Sequence, residues 1–483
     1  MNGAQTTAAR DAEPSQPAAS AIDTLVAHLQ RLRYEDLPAE AVAAARTFLL
    51  DAIGVGLSGS RHPRMAALKH AAAALGQGAE ATVWASGERL PLASAVMLNA
   101  YQVFNQEFDA IHDRAVVHAF ACIAPAALGY AEREGGVDGR RLITAVAAGL
   151  DFAIHVALAQ RAPMRFFRPA MCGGLGATAT LCKLAGLDEA ATRDALGLAY
   201  SHLSGTMQAH IEGSPAVGLQ VGLNARAAVT AFELARAGFP GPRDILEGPF
   251  GYFALYDAGQ ARWDEVAGDV YRVFQIARMS HKPYPTGRAT HSGIGAALRL
   301  MREHALRPGD IAGMKVYASS LIVRLVARPA RPGMDSATAR LCMGYTVATA
   351  ILHGQVGIQD FDPDALADPR RLELAARIEV LDDGNPDPNA MCPQRVELHL
   401  RDGRCLALDM PEFPGSPALP LDEAAQDAKF RACCASAQPP VPPDRAEALI
   451  RRLRRLEDAQ RAARDRRAAV DRRLVCCPVD ACA

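Results

Sequence analysis

The stretch LITAVAAGLDFAIHVALAQ, residues 142–160, decides the fold class. Its apolar residues cover nearly every helical face and alanines fill the gaps, the pattern of a helix packed against neighbours on most sides. The same grammar recurs at Ala39–Leu57, Ala93–Gln106, Gly174–Ala185, Glu189–Leu203 and Leu219–Ala237. Gly135-Gly136 and Gly238-Phe239-Pro240-Gly241-Pro242 punctuate these runs. Leu25, Val26, Leu29 and Leu32 add a helical spacing at the start, broken at Leu37-Pro38. Residues 21–273 are therefore expected to form an all-α bundle.

Beyond about residue 273 the period changes. Met314, Val316 and Ala318 alternate with other residues, as do Val396, Leu398 and Leu400. The second run meets Asp402-Gly403 and resumes at Leu406 and Leu408, which predicts a β-hairpin with a type I′ turn. Helices are expected at Ser292–His304 and Ser336–His353, so residues 274–416 read as a smaller α+β domain. Helix returns at Leu421–Ser436 and from Asp444, placing 417–470 back with the bundle. Residues 1–20 and 471–483 read as tails, the first of them disordered. The expectation is a mainly α protein, an all-α helical domain with an inserted α+β domain.

Composition excludes several classes. The chain has 483 residues, 52 Lys+Arg against 53 Asp+Glu and a net charge of −1, so no global field draws in nucleic acid or an anionic membrane. The hydrophobic half includes only 6 % aromatic residues, which favours close helix packing over a β-sandwich. No uninterrupted apolar run reaches the roughly 18 residues of a membrane span. The first residues show no apolar signal segment, and eleven scattered Cys read as reduced thiols of a cytoplasmic protein. The Arg-rich stretch Asp444–Leu474 reads as a solvated amphipathic helix rather than a nucleic-acid patch. Gly173-Gly174-Leu175-Gly176 follows no strand, no phosphate-binding GK[ST] loop occurs, and Asp382-Asp383-Gly384 misplaces its glycine for calcium. Cys476, Cys477 and Cys482 lack a nearby His. No metal and no cofactor are expected.

Three polar segments interrupt apolar surroundings. Asn105–Arg114, closed by His118, gathers acids, an Arg and two imidazoles, a set able to move protons or to stand as a solvated loop between helices. Met164–Gly173 carries Arg165 and Arg168 ahead of a helix, a carboxylate clamp or two surface cations beside a buried Phe pair. Ser280–His291 holds His281, Lys282, Arg288 and His291 on a stretch stiffened by Pro283 and Pro285, a binding loop or a plain domain linker.

On these residues the chain resembles the MmgE/PrpD family, which contains 2-methylcitrate dehydratase, cis-aconitate decarboxylase and iminodisuccinate epimerase. The resemblance runs from about Asp23 to Asp458. It is most specific at Glu107–His118, at Lys282-Pro283-Tyr284-Pro285 and at Glu247-Gly248-Pro249-Phe250-Gly251-Tyr252-Phe253. It implies a helical domain with an inserted lid, no cofactor, a homodimer, and proton removal next to a carboxylate of a small polycarboxylic acid. Asp109, His112 and His118 match the family's acidic loop, and Glu107 takes the place of its first Asp. Lys282 matches the lid-loop Lys, and Tyr345 a Tyr of the following helix. Ala110 and Ile111 depart from an Asp-Thr pair, Arg168 stands at a catalytic His, and Val217 stands at a Lys.

Arg168 cannot exchange protons near neutrality. The resemblance thus implies His118, Lys282, Glu107, Asp109 and Tyr345 as catalytic candidates, with His112, Arg165, Arg168, Arg288 and His291 around the substrate. The expected activity is that of a dehydratase-like lyase. Epimerisation of a dicarboxylate, or binding without turnover, are the alternatives that the departures raise.

Overall fold

The computed structural model describes residues 20–387 and 389–459. The expected tails, apart from Ser20, lie outside these residues, as do Cys476, Cys477, Cys482 and the Arg-rich segment beyond Ala459. Ser20 itself caps the first helix by accepting the Asp23 N–H.

The first part is helical: α1 (Ala21–Arg31), α2 (Ala39–Gly59), α3 (Met65–Ala74), α4 (Leu92–Phe104), α5 (Phe120–Arg133), α6 (Gly139–Leu158), α7 (Arg168–Ala185), α8 (Glu189–Tyr200), α9 (Gln208–Glu212), α10 (Ala216–Arg236) and α11 (Tyr252–Tyr256). A two-stranded pair, β1 (Ala81–Thr82) with β2 (Arg89–Leu90), sits between α3 and α4. Asp138 and Asp188 cap α6 and α8, and Gly186 at φ 69° ends α7 in the left-handed conformation. Small residues set how closely these helices approach. At Gly149 of α6 a Cβ would collide with the Thr180 hydroxyl and lie 2.5 Å from the Gly176 carbonyl oxygen of α7. Helix α5 has no counterpart among the sequence-derived runs, because Pro125 inside it interrupts the pattern.

The second part comprises α12 (His291–Glu303), β3 (Ile311–Ala318), α13 (Ser320–Val326), α14 (Ser336–Arg340), α15 (Met343–His353), α16 (Pro363–Leu366), α17 (Pro369–Ala375), β4 (Ile378–Asp382), β5 (Gln394–Leu400) and β6 (Cys405–Met410). Its sheet runs β4-β3-β5-β6, parallel between β3 and β4 and antiparallel elsewhere. The expected hairpin is β5–β6, but its turn is not type I′. That turn needs two left-handed residues, and only Gly403 (φ 89°) adopts one, its N–H reaching the Leu400 carbonyl at 3.1 Å. The single helix expected over Ser336–His353 is two. Leu341 and Cys342 interrupt it, with Cys342 bridged to Ala327 and its sulfur capping the Tyr345 N–H.

Two large hydrophobic cores result, with a small cluster of Val55, Phe108, Ile358 and Cys433 joining residues of both parts. One joins α1–α11 to side chains of α18 (Glu423–Ser436) and α19 (Pro443–Leu453), among them Phe430, Leu449 and Leu453. The other belongs to residues 289–413 together with Val116. Helix α18 lies on α2, where Gly54 makes room for the Phe430 ring and Lys429 Nζ meets Asp51 at 2.6 Å. Measured by mean hydropathy, α2 and α6 are long and apolar enough to cross a membrane, contrary to the expectation from uninterrupted runs. Their most apolar windows are 72 % and 89 % buried inside the protein, as in core helices.

Gly149→Ala is expected to force α6 and α7 apart and to destabilise the protein by about 1–3 kcal/mol or more, read from the urea midpoint.

Candidate functional site

The loop after α4 carries the first set of groups. Glu107 sits at φ 52°, a conformation that costs a residue with a Cβ about 1–2 kcal/mol. Lys282 compensates, because its Nζ donates to both the Glu107 carbonyl and its carboxylate, each at 3.0 Å. The ammonium is fully buried. Burial alone would raise the Glu107 pKa, but the Lys282 charge overrides it and holds the carboxyl below its usual range.

Further along, Ile111 pairs with Ser280 through two backbone hydrogen bonds, of 3.1 and 2.7 Å. The chain then folds back so that His112 pairs with Val117. This return delivers His118 to Asp109, with Nδ1 3.1 Å from Oδ2. An ionised Asp109 assigns the ring proton to Nδ1 and leaves Nε2 as the basic nitrogen. Nε2 makes no hydrogen bond among the described residues. Phe104 meets the ring edge-on at 5.3 Å and fixes its plane.

His118 and Glu107 face a cavity of about 500 Å³ between the two parts of the protein. Phe104, Ile111 and Phe167 wall it from the helical side, Leu325, Leu341 and Met391 from the other. His210 of α9 also lines it, a residue the sequence reading passed over. Its ring makes no hydrogen bond among the described residues, and burial pulls its pKa down to about 4. The only signal in the sequence was a His in a short polar segment, which carries no period.

The remaining candidates fall elsewhere or are already engaged. Arg288 lines the cavity, yet its Nε and Nη2 form a fork on Asp113 at 2.8 and 2.9 Å, and Nη1 reaches the Pro414 carbonyl. It therefore cannot offer a free fork to a substrate carboxylate. His291 is buried against Arg288 and Tyr284, and His112 has both ring nitrogens occupied by Gln275 and the Ala115 N–H. Arg165 is exposed on the surface. Arg168 is buried, with Nη1 on the Ala115 carbonyl; its neighbours Phe167 and Pro169 line the cavity, but its guanidinium does not. The Tyr345 hydroxyl faces the carbonyls of Asp360 and Ala365, at 2.6 and 3.0 Å, away from His118. The structure thus gathers His118, Asp109, Glu107 and Lys282, and of the expected arginines only Arg288 lines their cavity, already paired with Asp113.

Among the described residues, metal-type donors converge at Glu397, His399 and Cys405, whose ligand atoms lie within 4.8 Å of one another. They stand on β5 and at the start of β6, outside the walls of the cavity.

Comparison with known proteins agrees with this division. Residues 23–264 match the MmgE/PrpD N-terminal domain and residues 284–455 the MmgE/PrpD C-terminal domain. The second match includes α18 and α19, although these helices pack on α2. Over 412 residues the chain is 24 % identical to the cis-aconitate decarboxylase-like protein oryM of Aspergillus oryzae (strain ATCC 42149 / RIB 40), covering 80 % of this chain and 85 % of that protein. It is 23 % identical over 397 residues to a cis-aconitate decarboxylase of Aspergillus terreus (strain NIH 2624 / FGSC A1156), covering 77 % and 81 %.

Two predictions follow from the buried charges. Lys282→Met leaves Glu107 unpaired and should cost about 3–5 kcal/mol in urea unfolding at pH 7, whereas adding Glu107→Gln should recover part of the loss. Burial pulls His112, His210 and His281 down to about 4, so these rings are neutral in the folded chain while the unfolded chain binds their protons from about pH 6.5 downward. Stability should therefore fall between about pH 6.5 and 4, by up to about 3 kcal/mol per ring, and these groups should contribute no change above pH 7. Urea midpoints at pH 8, 7 and 5 are the check.

Proposed function

Because the chain belongs to the MmgE/PrpD family, we propose that it is a lyase-type enzyme that removes a proton next to a carboxylate of a small polycarboxylic acid, using its own side chains and no cofactor. One observation carries this reading: an Asp109-held His118, its other ring nitrogen free of hydrogen bonds among the described residues, on the wall of a mostly apolar cavity. Such an imidazole can take a proton at its free nitrogen while Asp109 holds the ring in place.

In this reading the substrate lies between Phe104 and Leu341 with its acidic C–H toward His118 Nε2. Proton removal places negative charge on the adjoining carboxylate. Loss of a β-hydroxyl, which takes up the proton that His118 has accepted and leaves as water, then discharges the carbanion into a double bond. Lys282 acts through Glu107: it holds that carboxylate ionised and in place, as a positioning residue rather than a group in contact with substrate. Glu107 and the neutral His210 are the further groups that can accept or relay a proton at the same cavity. The low-dielectric walls strengthen each of these interactions by excluding water.

A second reading, epimerisation, is favoured by this same set. Two imidazoles and one carboxylate border the cavity, and the nearby cations Lys282 and Arg288 are already paired. Proton removal by one base and return by another needs no leaving group.

Incubation of citrate-like, aconitate-like and amino-dicarboxylate acids with the protein in deuterated water tests both readings by NMR. Exchange at the α-carbon is expected for at least one acid, and His118→Asn should slow it by about 10²–10⁴-fold. Formation of an alkene supports the lyase, and inversion without elimination supports the epimerase. Tight binding of an acid without any exchange would leave a carboxylate-binding protein and sink both.

A further inference from the structure

Arg340, the last residue of α14, is only 5 % exposed. Its Nη1 donates to the backbone carbonyls of Gln106 (3.1 Å) and Pro285 (2.6 Å), and its plane lies 4.1 Å from the Phe361 ring centroid. Among the described residues no carboxylate comes within ion-pair distance, and Nη2 and Nε make no hydrogen bond. Burial without a partner pulls its pKa down to about 9. A guanidinium in that position attracts any carboxylate that reaches it, because binding supplies the missing counter-charge.

A route to it is open. Arg340 borders a cleft of about 1550 Å³, and the same wall carries Arg64, exposed and free of ion pairs among the described residues. Asn105 adds a buried Oδ1 with no hydrogen-bond partner, while its Nδ2 donates to the Gly59 carbonyl. The cleft's own acids are engaged elsewhere, Asp362 with Arg61 at 3.1 Å and Asp335 as the cap on the Thr338 N–H at 2.7 Å. His62 is neutral, held near 4 by burial and by the charges of Arg340 and Arg64. Next to the cleft, with His62, Asn105 and Ala337 lining both, lies a chamber of about 400 Å³ that shares Phe104 and Glu107 with the His118 cavity.

We propose that this cleft is an entry site for a small hydroxycarboxylate, in which Arg340 and Arg64 hold the carboxylate and Asn105 Oδ1 accepts a hydrogen bond from the hydroxyl. The ligand class rests on the proposed function, but binding is read without turnover. The site explains how a cavity whose own cations are paired still draws in an anion: capture occurs one chamber away, where the charges are free.

Calorimetry at low salt with malate and succinate, an acid pair differing by one hydroxyl, is the test. Malate is expected to bind the wild-type chain more tightly, and Asn105→Ala to erase the preference. Arg64→Gln should weaken both acids by about tenfold, the scale of one charge-assisted contact. Arg340→Gln should abolish binding and Arg340→Lys restore part of it. Should Arg340→Gln fail to fold by circular dichroism, the exposed Arg64→Gln variant decides. Unchanged affinity in Arg64→Gln, or no binding of either acid to the wild type, overturns the site. His118→Asn should keep malate binding while losing deuterium exchange. Arg340-dependent binding with no exchange by any acid would instead remove the proposed function and leave the site standing.

Discussion

A fully buried ammonium facing one carboxylate across 3.0 Å is the constraint on which the rest of the site depends. Lys282 belongs to the chain that leads into the α+β part, and Glu107 to the loop at the end of α4. Neither charge is tolerable alone at that depth, since an isolated buried ion costs several kcal/mol after relaxation. The pair therefore ties together the two parts at the seam between the larger hydrophobic cores. Because Nζ also takes the Glu107 carbonyl, it holds the left-handed backbone there and sets the course of the following residues toward Asp109 and His118.

Around that pair the seam carries a set of polar links, beside a small apolar cluster of Val55, Phe108, Ile358 and Cys433. Ile111 and Ser280 exchange backbone hydrogen bonds, Arg288 forks onto Asp113, and Arg340 ties the Gln106 carbonyl to that of Pro285. These bonds are directional, whereas apolar packing is not, so they orient one part against the other in a way that burial by itself cannot. The consequence for chemistry is a division of labour. Lys282 and Arg288 near His118 are consumed in holding the seam, whereas Arg340 and Arg64, further out, have no ion pair among the described residues.

The fold was largely legible in residue patterns. Ala-rich runs such as 142–160 mark buried helices because alanine permits close approach on every face, and alternation at Val396, Leu398 and Leu400 marks a half-buried strand. The failures have local causes. Pro125 hid α5 although neighbours support the helix around it, and the sulfur of Cys342 splits α14 from α15 where periodicity runs on unbroken. The type I′ turn at Asp402-Gly403 was inferred from a dipeptide, while the strand ends at Leu400, one residue earlier than that turn requires.

For the site, the loop Asn105–His118 and the segment Ser280–His291 announced themselves as candidates by polar side chains in apolar surroundings. Sequence also determined the family and the helical character, because both reside in local pattern and motif. Tertiary structure alone decided which charges remain available. Arg288 and Arg340 look alike in the chain, yet one meets Asp113 and the other only backbone carbonyls, and the same blindness hid His210. Whether a charge is spent depends on partners more than a hundred residues away, and no local spacing encodes that distance.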